Sequence, residues 1–131
     1  MRGAATISAT VVLAAFAWVT QGWASPRIPP GNPHTFVATA YCRGRLTTAG
    51  TRVAPGTVAA DPAVIPLGSI ARVQGLDAPY NGHYTVLDTG SKIRGRRVDL
   101  YMRNCKDATK FGRRFARLFV VSRPRRPPPG R

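Results

Sequence analysis

Asp61, Asp88 and Asp99 stand in the frames A-A-D-P-A-V-I-P-L-G-S, V-L-D-T-G-S and R-V-D-L-Y. They are three of only five acidic residues, all aspartate, set against twenty lysines and arginines. A chain so basic spends few carboxylates on solubility, and their placement therefore points to chemistry. Carboxyl groups brought into one pocket cannot all ionise cheaply, so one pKa rises and that group can serve as a general acid near neutral pH. The plainer alternative is that each aspartate caps a turn, since Asp-Pro and Asp-Thr-Gly are both good turn formers. Taken together in a chain with two other acids, the three favour the pocket.

The elements around them decide whether such a pocket can form. Phe36 to Cys42 is rich in β-formers and predicts a strand that runs into a polar loop from Arg43 to Thr51. Val58 to Asp61 is short and apolar, and Pro62 and Pro66 then impose extended or turn geometry. Ser69 to Gln74 predicts a strand and Gly75 to Gly82 a turn-rich connection. His83 to Asp88 alternates, with Tyr84 and Val86 on one face and Thr85 and Leu87 on the other. Val98 to Met102 alternates too, leaving Arg97, Asp99 and Tyr101 on a shared face. Asn104 to Phe111 is the one helix candidate, with Asn104 as N-cap and Gly112 as stop. Arg114 to Val121 supplies the last strand. Short strands, many turn residues and one brief helix describe a mainly β fold, a small six-stranded closed barrel. Asp88 and Asp99 flank the loop from Thr89 to Arg97, so paired or neighbouring strands would bring both to one end of that barrel, and Asp61 would join from the side.

The ends read differently. Residues 1–24 carry Arg2, an apolar run from Ile7 to Val19 and small residues before Ala24, the pattern of a secretory signal; an uncleaved anchor is the alternative. Residues 25–33 read as a linker, 34–121 as the folded domain and 122–131 as an extended Arg/Pro-rich tail unable to offset its ordering entropy. Both readings of the N-terminus place the domain outside the cytoplasm, periplasmic or secreted. There Cys42 and Cys105 are free to form a disulfide, and two buried thiols or a metal pair are the alternatives. His34 and His83 lie at no ligand spacing from a cysteine, so neither a metal nor a cofactor is expected. The formal charge of +15 suits attraction to anionic envelope polymers or a membrane surface. Nucleic acid is not expected as a partner, because export removes it and the Arg-rich tail has no interleaved aromatics.

Six blocks then resemble a known family, in order and at ordinary spacing: T-A-Y (39–41), T-T-A-G-T (47–51), A-x-D-P-x-x-I-P-L-G-S (59–69), D-T-G-S-x-I-x-G (88–95), V-D-L-Y (98–101) and A-x-x-F-G-R-R (108–114). The chain resembles the 3D domain, named for its three aspartates and similar to the C-terminal part of the A-type membrane-bound lytic transglycosylases. The resemblance implies a double-psi β-barrel acting on the glycan strands of peptidoglycan, without a cofactor. It implies that Asp99 is the catalytic acid, with Asp61 and Asp88 lining the same cleft. Asp99 would protonate the oxygen linking N-acetylmuramic acid to N-acetylglucosamine and then take the proton of the sugar's C6 hydroxyl, giving a 1,6-anhydro product. Tyr41, Thr47, Thr48 and Gly90 are the candidate substrate contacts.

One expectation runs against this. Lys92, Arg94, Arg96 and Arg97 are close in sequence to Asp99, and nearby cations lower a carboxyl pKa. Two other functions compete. A non-catalytic, expansin-like wall-binding module fits the charge and the absence of room for a second domain. V-L-D-T-G-S also fits an aspartic protease that would need a homodimer, although the D-P-x-x-I-P-L-G block has no place there.

Overall fold

The computed structural model describes residues 27–124; the expected signal, and the tail beyond Pro124, lie outside the described residues. Six strands alternate with loops: β1 (His34–Tyr41), β2 (Thr57–Ala60), β3 (Ile70–Gln74), β4 (Gly82–Asp88), β5 (Arg97–Tyr101) and β6 (Arg114–Ser122). They close into a barrel in the order β1-β5-β2-β4-β3-β6. The pairs β1/β5 and β2/β4 are parallel and the other four antiparallel. Closure leaves no unpaired sheet edge.

Alternation builds the interior. In β5, Val98 and Leu100 are buried while Arg97, Asp99 and Tyr101 are half-exposed. In β1, Phe36 and Ala38 point inward, and Thr39 and Tyr41 keep partial exposure. Phe36, Ile65, Leu100 and Leu118 are among the largest fully buried side chains. Truncating one to alanine would cost about 2–5 kcal/mol. The expected connection between Gly75 and Gly82 contains one 3-10 turn, Ala78–Tyr80. Met102 falls outside its expected strand, although its N–H still donates to the Tyr41 carbonyl at 2.8 Å.

The one α-helix among the described residues, α1 (Cys105–Phe111), starts at Asn104, whose side chain accepts from the Lys106 N–H at 2.8 Å. It stops at Gly112, whose φ of 63° is easy only for glycine. Its first residue is bonded to the residue just after β1: Cys42 and Cys105 form a disulfide with a Cα–Cα distance of 5.1 Å across 63 residues. Ile28 and Gly31 tie the exposed segment 27–33 to the barrel. Ile28 is buried, its N–H donates to the Val64 carbonyl, and its carbonyl accepts from the Arg123 guanidinium. Among the described residues no helix is long and apolar enough to cross a membrane.

Candidate functional site

Register brings two of the three aspartates together. Ala59 on β2 is the Cα partner of Asp99 on β5 and, on its other side, of Asp88 on β4. The second pairing depends on a register shift between Val58 and Ala59 that skips Leu87. Such a bulge re-aims the side chains beyond it. Val58 and Ala60 belong to the barrel core, so Ala59 turns to the outer face, where its side chain is buried between the strands that carry the two carboxyl groups. A larger residue there would stand between them.

The two carboxyl groups are held differently. Asp88 accepts four hydrogen bonds. Its Oδ1 takes the Thr48 N–H, the Thr48 hydroxyl and the Thr89 N–H, each at 3.0 Å, and its Oδ2 takes the Tyr41 hydroxyl at 3.0 Å. Thr48 can reach it because the loop after β1 folds back on itself and onto the end of β4. The Thr47 N–H donates to the Thr51 carbonyl at 2.8 Å and the Ala49 N–H to the Leu87 carbonyl at 2.9 Å. Gly50 turns this loop at a φ of 83°.

Asp99 is half-buried, and among the described residues its carboxyl receives one hydrogen bond, from the Thr39 hydroxyl to Oδ1 at 2.8 Å. Burial pushes its pKa above the usual aspartate range; the Thr39 bond and the Arg97 charge pull it down, and the charge of Asp88 pushes it up again. The crowd of cations therefore does not decide its protonation. Lys92, Arg94 and Arg96 are exposed, where solvent screens them.

Asp61 has a separate environment. Its Oδ1 accepts the Ala63 N–H at 3.0 Å and its Oδ2 the Gly95 N–H at 2.8 Å. Its carbonyl accepts the N–H groups of Val64 and Ile65. The Gly95 bond, with those of Ala63 and the Arg94 charge, outweighs burial and holds its carboxyl below the usual range. Asp61 thus pins the tip of the loop that leads into β5, and so helps to place Asp99.

The remaining candidates take distinct positions. Tyr41 bonds Asp88 and meets Tyr101 edge to face at 5.4 Å between ring centroids. Burial, then Asp88, push its phenol above the ordinary value, so it stays a donor. The Thr47 hydroxyl is buried against that of Thr51 at 2.9 Å, whereas Thr48 stands exposed on the site. Gly90 is required by packing, since a Cβ there would lie 2.9 Å from Ile93 Cγ1. Two site residues escaped the reading of the sequence. Thr39 was legible from its spacing to Tyr41 on one strand face, but Ala59 was visible only through the register.

A cavity of about 640 Å³ is lined by Tyr101, Met102, Tyr80 and Tyr84 among others; neither Asp88 nor Asp99 lines it. Among the described residues no cluster of His, Cys, Asp or Glu could hold a metal ion.

Comparison with known proteins agrees with this architecture. The barrel is similar in structure to MltA of Escherichia coli, described as having a lytic transglycosylase fold, with a TM-score of 0.51 and 18% identity over 61% of this chain and 28% of that one. In sequence the chain is 40% identical over 65 residues to the cell wall-binding protein YocH of Bacillus subtilis, covering 50% of this chain. It is 31% identical over 102 residues to the prophage-derived protein YorM of the same organism, covering 65% of this chain. It spans only 21% of YocH and 40% of YorM. The 3D domain matches residues 56–122, just over half of the sequence, and by that match the chain belongs to the 3D domain family.

Proposed function

We propose that this protein cleaves the glycan strands of the bacterial cell wall by lytic transglycosylation, with Asp99 as both acid and base. The observation that carries the reading is the contrast between the two carboxyl groups over Ala59: Asp88 has four donors, Asp99 one and a pKa raised by burial. Asp99 gives its proton to the glycosidic oxygen as the bond from that oxygen to the muramic C1 breaks. Positive charge develops at C1, and the C6 hydroxyl of the same sugar attacks it. The hydroxyl proton passes to Asp99, which regains its starting state. The products are a 1,6-anhydro sugar and a free 4-hydroxyl, with no water consumed, unlike the two-carboxylate hydrolases. Burial keeps Asp99 protonated and the charge of Asp88 adds to that, Asp61 fixes the loop before β5, and Tyr41 and Thr48 are the candidate sugar contacts.

The fold shared with MltA and the name of YocH support a wall polysaccharide as partner and a location outside the cytoplasm. The double-psi reading of the barrel is supported by the parallel pairs β1/β5 and β2/β4.

Incubation with purified glycan strands should release anhydro-muropeptides detectable by mass spectrometry, and Asp99→Asn should abolish release while sparing binding. A second reading, a wall-binding module without turnover, draws on the description of YocH as cell wall-binding. Retained binding with no anhydro product from the unaltered protein would establish it and end the first.

A further inference from the structure

Beside the aspartates lies a second, differently charged site. A cleft of about 550 Å³ is lined by Gly44, Arg45, Leu46, Arg52, Val53 and Tyr101. Its walls are the two arms of the loop after β1, tied into a short ladder by the Leu46–Arg52 bridge, the Val53 N–H donating to the Arg45 carbonyl at 3.1 Å, and the Thr47–Thr51 bond. The ladder holds the Arg45 and Arg52 backbones on facing arms.

Among the described residues neither guanidinium is neutralised by a carboxylate. Among the described residues the only ion pair is Arg114 with Asp77 at 2.7 Å, and the carboxyl groups of Asp88 and Asp99 take their hydrogen bonds from hydroxyls and backbone N–H groups. The cleft is joined to the catalytic candidates in two ways. Tyr101 lines it and packs against Tyr41, which bonds Asp88. Thr48, two residues beyond Leu46, grips Asp88 directly. Leu46, 67% exposed, adds an apolar side chain to the lining.

Two forked cations and one aliphatic side chain suit a short peptide bearing a carboxylate better than a neutral sugar. We propose that this cleft is an anion subsite for the carboxylates of the peptide stems carried by wall glycan strands, so that the protein selects strands that still bear charged stems. The inference rests on the glycan-strand reading above and adds the substituent recognised.

The test measures binding at about 0.15 M salt, where distant charges are screened, with the full chain carrying Asp99→Asn to prevent turnover. Glycan strands with intact stems are compared with strands whose stem carboxylates have been amidated. Amidation should weaken binding about tenfold, the scale of one charge-assisted bidentate contact. In Arg45→Gln/Arg52→Gln the ratio should fall below about twofold, with amidated strands bound as before. Arg113→Gln/Arg117→Gln, which removes equal charge away from the cleft, should keep the full ratio.

Equal binding of intact and amidated strands overturns the subsite and leaves the glycan reading standing. So does an equal loss of the ratio in both double variants, which would mean diffuse attraction. Displacement by polyglycerol phosphate without sensitivity to amidation would assign the cleft to a phosphate polymer and overturn it as well. No binding to either strand would remove the glycan reading and the subsite together.

Discussion

Asp88→Asn separates charge from shape at the site. The amide can keep its oxygen toward the Thr48 N–H, the Thr48 hydroxyl and the Thr89 N–H, and turn its NH2 toward the Tyr41 hydroxyl, which can accept as well as donate. The network survives, but bonds to a charged acceptor become bonds to a neutral one. That change should cost about 1–2 kcal/mol, which in a domain of this size lowers the melting temperature by about 4–8 °C per kcal/mol. A second effect falls on Asp99. It loses the negative charge that helps to raise its pKa, while the lowering contributions from Thr39 and Arg97 remain. Its pKa must therefore fall. The alkaline limb of the pH profile for anhydro-muropeptide release, which reports the acid in its protonated form, should move to lower pH, with activity near neutrality reduced and activity in mild acid largely kept. A limb that stays in place or moves alkaline in a folded variant would refute the claim that Asp88 acts on Asp99 through its charge.

Ala59→Val should lose at least about 1 kcal/mol by overpacking the buried floor, seen by urea unfolding, and should lower release far more than stability by parting the two carboxyl groups. Asp61→Asn should cost about 1–3 kcal/mol at pH 7 through its two backbone donors. Because the folded pKa of Asp61 is depressed, its contribution is full above the unfolded value near ~4 and is lost as pH falls through the folded one. The variant and the parent should therefore converge in stability at acid pH, as urea midpoints across a pH series will show. Replacing both cysteines, Cys42→Ser/Cys105→Ser, should lower unfolding free energy by about 4 kcal/mol, and reducing agent should then have no further effect on the melting temperature.

What the sequence made legible was local. The alternation across Arg97–Tyr101 placed Val98 and Leu100 inside and Asp99 with Tyr101 outside, because a strand's faces follow from its period alone. Asn104 and Gly112 marked the helix ends because capping chemistry is a property of a few neighbouring residues. The pairing of Ala59 with both Asp88 and Asp99 was not legible. It joins segments 29 and 40 residues apart and turns on a bulge that passes over Leu87. No residue near Val58 announces that shift. The cations from Lys92 to Arg97 misled for the same reason: closeness in sequence gave no measure of solvent exposure. Among them only Arg94 and Arg97 act on a carboxyl group of the site, Arg94 on Asp61 and Arg97 on Asp99. Asp61 read as a possible third member of the cluster, and only the backbone positions of Ala63 and Gly95 reveal what it holds.

The barrel's closing seam also bears on when the site can assemble. β1, which carries Thr39 and Tyr41, is flanked by β5 and β6, so its second neighbour is the last strand of the fold, with His34 opposite Leu118. Emerging in order from a ribosome or an export channel, the chain would have both aspartates out before β6, the strand that completes the ring. Such distant pairings form late. Under the function proposed above, cutting could not begin until β6 has joined β1.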